Sequence, residues 1–201
     1  LDLTRILAGP IAGKFLSANG AEVLVINSPK LPNVDAYLLE TGHGKRSTWL
    51  DLDEPEQAVA LRRLVAGADV LVQSFRTGAL ARRGFSPEEM AALRPGLIYT
   101  SISCFGSDGE WGERPGWELL GQSATGIAMG QGSAEQPSLV RAYPCDYTTG
   151  YLAALGVLAA LILRARHGGS YHVRASLCRT GMFVEGLGAR FPRRDAGSRF
   201  A

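Results

Sequence analysis

Short apolar runs alternate along this chain with segments whose apolar positions recur every three or four residues. Leu1 to Thr4, Glu22 to Ile26, Ser47 to Leu52, Asp69 to Gln73, Leu97 to Ser103 and Tyr171 to Ala175 are the short runs. Several are β-branched, as expected of strands covered on both faces. Ile11 to Ala18, Glu54 to Ala66, Ser86 to Leu93, Trp117 to Met129, Tyr147 to Arg166 and Ser176 to Leu187 have helical spacing. Breakers separate the two kinds of segment. Leu7-Ala8-Gly9-Pro10 predicts a turn, Asn19-Gly20 a helix stop, and Ser86-Pro87-Glu88-Glu89 an N-cap with its first turn. Residues 28 to 44, with Pro29, Pro32, Gly42 and Gly44, predict an excursion with a short helix at most. The alternation predicts an α/β fold: an open, mostly parallel, Rossmann-like sheet with helices on both faces, followed by a long apolar helix. Ligands of such sheets sit beyond the carboxyl ends of the strands.

Composition narrows the function classes. The chain has 201 residues, 46% of them hydrophobic and 20% charged, which favours one well-buried core over disorder. A net charge of +2 is too small to imply a nucleic-acid partner. Cys104, Cys145 and Cys178 are odd in number and widely spaced. They predict neither a disulfide framework nor a zinc site, and make a reducing cytoplasm the default compartment. Tyr151 to Leu163 is too short a run to span a bilayer, so a buried helix and no membrane partner are expected. The chain opens inside a strand without Met, and Arg193 to Ser198 reads as a tail. The expectation is a piece of a longer protein, with a domain over residues 1–187 and a tail or linker over 188–201.

Candidate chemistry is dispersed. Residues 7 to 13, LAGPIAG, lack the GxGxxG spacing of a dinucleotide fold, and Asn27 stands where a ribose-binding acid would be. Gly9 to Phe15 is one residue short of a P-loop, with Phe15 in place of the magnesium-binding hydroxyl. A tight strand-to-helix turn explains this segment, as does a helix N-terminus that holds a phosphate or carboxylate. Lys45 and Arg46, placed just before a strand, are either a solvated basic turn or a phosphate site. Phe75, Arg76 and Arg82 follow a buried strand, where an aromatic ring stacks on adenine or plugs the sheet end. Glu118 opens an apolar helix and either favours its dipole or is a partly buried acid. Asp146 precedes the longest helix, where an N-cap is the commonest use of Asp. His43, His167 and His172 have no metal-ligand spacing, so no metal site is expected.

Taken in order, LDLTRILAGP, NGAEVLVI, GKRSTWLDL, ADVLVQSFRTGALARRGF, RPGLIYTSISCFG, RPGWELLGQSATG and DYTTGYLAALGVLAALILRARHGGSYHVRASL resemble the N-terminal half of family III CoA-transferases. That family includes formyl-CoA and carnitine CoA-transferases and α-methylacyl-CoA racemase. The resemblance implies that Asp146 is a nucleophile with Glu118 beside it, and that Ala8, Gly9 and Pro10 line a CoA site. It implies nucleotide contacts from the segment holding Phe75 and Arg82. It also implies coenzyme A as a substrate rather than a tightly bound cofactor, an acyl-CoA donor with a carboxylic acid acceptor, and a homodimer of interlocked chains. Trp117 replaces the His of the racemase branch, so racemisation is not expected. Gln73-Ser74 stands in place of a family Glu-Asn pair. A CoA-binding module without catalysis is the alternative. The catalytic reading requires an Asp146 oxygen that reaches open space.

Overall fold

In a computed structural model that describes residues 1–190, the apolar runs form six strands. These are β1 (Asp2–Leu3), β2 (Val23–Asn27), β3 (Lys45–Trp49), β4 (Val70–Gln73), β5 (Ile98–Ser103) and β6 (Tyr171–Ser176). They pair in the order β3-β2-β1-β4-β5-β6. Every pairing is parallel, with Asp2 opposite Val25 on one side and Val72 on the other. The order therefore reverses beside β1, which is where parallel sheets open a crevice for ligands.

Helices cover both faces. On one side α1 (Ala8–Ala18) and α7 (Pro144–His167) share a core with the sheet through Ala12, Val72, Ile98, Ala153 and Val157. On the other, α3 (Pro55–Ala66) and α4 (Pro87–Leu93) bury Leu61, Val65 and Met90 against Leu71 and Leu97. The expected N-cap of α4 forms as a full capping box, Ser86 and Glu89 bonding each other's backbone N–H. The excursion contains α2 (Asp35–Thr41), and α8 (Leu177–Arg190) follows β6. The expected helix from Trp117 to Met129 is two, α5 (Glu118–Thr125) and α6 (Ile127–Gln131), because Gly126 between them takes φ 89°. α8 continues to Arg190, past residue 188 where a tail or linker was expected to begin, and residues 191–201 lie outside those described.

Three further boundaries move. Ala8, Gly9 and Pro10 are the first turn of α1 rather than a loop before it. Lys45 and Arg46 begin β3 instead of preceding it. The long helix starts at Pro144, so Asp146 lies inside its first turn. At 24 residues α7 is long and apolar enough, by length and composition alone, to cross a membrane. It is also not wholly buried. Its inward face is Cys145, Asp146, Thr149, Gly150, Ala153, Ala154, Val157 and Ala160, mostly small side chains. A Cβ on Gly150 would come within 2.6 Å of the Ala8 carbonyl oxygen and 2.7 Å of Ile11 Cγ2. Small residues thus let α1 and α7 approach to backbone contact, while Tyr151, Leu155, Leu158 and Ile162 face outward.

Candidate active site

The close approach of α1 and α7 decides where Asp146 sits. It precedes Gly150 by four residues and so shares its helix face, one turn nearer the N-terminus. The start of α7 is therefore carried toward the start of α1, beside the reversal point of the sheet. Both entrances are strained. Ile6, just before α1, has φ 70°, and Tyr143, the N-cap of α7, has φ 50°. Left-handed backbone in a β-branched or bulky residue costs on the order of 1–3 kcal/mol and gathers at functional sites.

Neither helix start carries a side-chain cap of its own. For α7 the cap comes from elsewhere in the chain. Glu118 is 3% exposed and accepts the N–H of Cys145 at 3.2 Å on Oε1 and that of Asp146 at 2.6 Å on Oε2. This satisfies orphan donors of the first turn. The N-cap role expected on local grounds for Asp146 is therefore performed by Glu118. The Asp146 carboxylate accepts no hydrogen bond among the described residues and keeps 7% exposure. Burial first, and the neighbouring Glu118 charge second, push its carboxyl up to about 7. Cys104 and Cys145 lie nearby, and burial raises both thiols well above the usual range, Cys104 to about 12. They are poor nucleophiles in that state.

The candidate binding residues divide into groups. Ala8, Gly9 and Pro10 are buried in the first turn of α1, where the Ala8 carbonyl oxygen faces Gly150 of α7, and Gly9 has no room for a Cβ against the Thr4 side chain. Lys45 lines a small cavity of about 50 Å³ with Pro10, Asn27 and Tyr37. Its ammonium is committed inside the protein, to Asp2 at 3.0 Å and the Pro10 carbonyl at 2.8 Å. Asp2 in turn accepts the Thr4 N–H, so Lys45 fixes the β1–α1 connection. Arg46 projects into solvent, and its one ion-pair partner among the described residues is Glu22, at 3.9 Å.

The second group lies beyond the carboxyl ends of β4, β5 and β6, on a groove of about 1120 Å³. Phe75 and Arg76 line it, as do Arg174 and Arg179. Phe75 also packs on the core behind the sheet, so it plugs the sheet end and faces the groove at once. Arg76 is exposed and forms no ion pair among the described residues, whereas Arg82 folds back to within 3.0 Å of where a Gly78 Cβ would be. The groove floor has a polar set that sequence reading missed. Gln73 donates to Ser101 at 3.0 Å, and Ser101 meets His172 at 2.9 Å. Parallel registration of β5 and β6 creates this contact, and no local motif announces it. Asp146 lines neither cavity.

Comparison with known proteins bears on this arrangement. The sequence pattern of CoA-transferase family III matches residues 1–189. An acyl-CoA transferase of Gibberella moniliformis is 41% identical over 190 residues, 88% of this chain and 33% of the relative. A succinate–glutarate CoA-transferase of Agrobacterium fabrum is 33% identical, over 88% of this chain and 49% of its own length. The crystal structure of a CAIB/BAIF family protein from Brucella suis superposes with a TM-score of 0.87 at 32% identity, over 98% of this chain and 56% of that one. The chain thus spans between a third and a half of these curated relatives.

Proposed function

Since this chain belongs to CoA-transferase family III, we propose that it moves CoA from an acyl-CoA thioester to a carboxylic acid, with Asp146 as the nucleophile. The observation that carries this reading is the division of labour at α7: Glu118 takes the first N–H groups, which leaves the Asp146 carboxylate unclaimed. Its oxygen attacks the thioester carbonyl carbon, the C–S bond breaks, and CoA leaves as thiolate, giving a mixed anhydride. The thiolate attacks the aspartyl carbonyl, expels the first carboxylic acid as its carboxylate, and is held as an aspartyl thioester. The acceptor carboxylate then displaces the thiolate to form a second anhydride. The thiolate attacks the acceptor-derived carbonyl and restores Asp146. The N–H groups of Ala8 and Gly9, at the uncapped start of α1, are the donors suited to the developing oxyanion. The nucleotide of CoA lies in the large groove, where Phe75 offers a stacking face and Arg76 an exposed guanidinium for phosphate. A homodimer in the cytoplasm completes the reading.

The alternative, a CoA-binding module without catalysis, is favoured by one fact: Asp146 lies off the walls of both cavities. Trapping separates the two. Acyl-CoA followed by hydroxylamine is expected to leave a hydroxamate on Asp146, read by mass spectrometry, and Asp146→Asn abolishes it. CoA binding without any hydroxamate, across several acyl groups, removes the transferase reading and leaves the module.

A further inference from the structure

Gln122 is fully buried on α5, one turn after Glu118. A buried primary amide is costly unless its donors and acceptor find partners. Here they do. Nε2 donates to Glu118 Oε1 at 2.7 Å and to the Val140 carbonyl at 3.0 Å, and Oε1 accepts the Val140 N–H at 2.8 Å. The two bonds to Val140 copy a backbone pairing with a side chain. They clamp the segment leading into α7 just before Tyr143, the strained N-cap. The third bond holds the carboxylate that receives the N–H groups of Cys145 and Asp146. The backbone of Asp146 is thus fixed from both sides by one amide: along the chain through Val140, and across space through Glu118.

This deepens the nucleophile reading and rests on it: we propose that Gln122 is the positioning residue of the active site, setting the reach of Asp146 toward the thioester without touching substrate. A helix held only by packing would tolerate any apolar residue of similar size here. A positioning role does not, because a misplacement of about 1 Å at a reacting group costs on the order of 100-fold in rate.

The test uses the protein at its full natural length and two variants. Gln122→Met keeps the volume and removes all three bonds. Gln122→Glu keeps an acceptor for the Val140 N–H but sets a carboxylate against Glu118. Both are expected to lower kcat about 10- to 100-fold. The KM for acyl-CoA is expected to hold within about twofold, since CoA is bound elsewhere. Single-turnover hydroxamate formation on Asp146 should slow by the same factor as kcat. The proposal is overturned by an unchanged kcat in either folded variant, by a rise in KM that accounts for the loss, or by a loss that only tracks the folded fraction measured by circular dichroism. Asp146→Asn is run in parallel. Retained turnover there sinks the nucleophile reading itself, whatever Gln122 does.

Discussion

A carboxylate buried against another one serves reactivity and folding in opposite senses. The nucleophile of the proposed reaction is the ionised form, so acyl transfer should rise with pH through about 7, where the Asp146 carboxyl is held. Stability should fall over a neighbouring window. The folded value is raised from 3.8, so between those limits the native state binds more protons than the unfolded chain and loses stability as pH increases. Asp146→Asn removes that penalty at nearly constant shape. The variant should exceed the parent by on the order of 1–4 kcal/mol at pH 8, with the difference gone near pH 4, as urea titrations at the two values will show. The catalytic candidates were legible as residue types before any fold was known: an acid near a helix start, and an acid after a glycine-rich loop. Their proximity followed from the family resemblance alone, and the backbone bonds that join them were not legible. Glu118 reaches Asp146 across 28 positions, and the only hint of Gln122 was a polar residue one helical turn from Glu118.

At the scale of elements, α1 and α7 determine the site because nothing larger than hydrogen fits between them at Gly150. Gly150→Ala should destabilise the protein by about 1–3 kcal/mol despite Ala's better helix propensity. It should also slow Asp146 trapping, since the helix carrying the acid must retreat from α1. Thermal unfolding and hydroxamate formation measure the two effects separately. Strands and helices were readable from β-branched runs, glycine stops and the Ser86 capping box, all short-range signals. The starts of α1 and α7 were not, because no local cap marks them. Pro10 read as part of a turn, yet it and Pro144 both sit in the first turns of helices, where a missing N–H is harmless. Lys45 and Arg46 read as either a solvated basic turn or a phosphate site, because the buried partner that accommodates Lys45, Asp2, is distant in sequence.

Across the whole molecule, the chain matches at most half the length of the curated relatives named above, and its surface retains a large apolar area. Tyr151, Leu155, Leu158 and Ile162 form an outward stripe on α7, with Met182 and Phe183 exposed on α8. Patches of this kind bind partners or dyes in soluble proteins. This chain should therefore enhance anilinonaphthalene sulfonate fluorescence, and Leu155→Lys with Ile162→Lys should reduce the signal markedly without lowering the melting temperature; an undiminished signal would locate the dye elsewhere. The sheet order has a bearing on biosynthesis as well. β5 and β6 are neighbours in the finished sheet, yet all of residues 104–170 must leave the ribosome between them. The nascent protein therefore waits with one flank of its sheet unpaired while the segment bearing Asp146 is still being made. Long-range parallel pairing is slow in any case. β6 is also the strand that packs on α7, with Val173 against Gly156, so the surroundings of the helix that carries Asp146 should be completed well after most of the secondary structure.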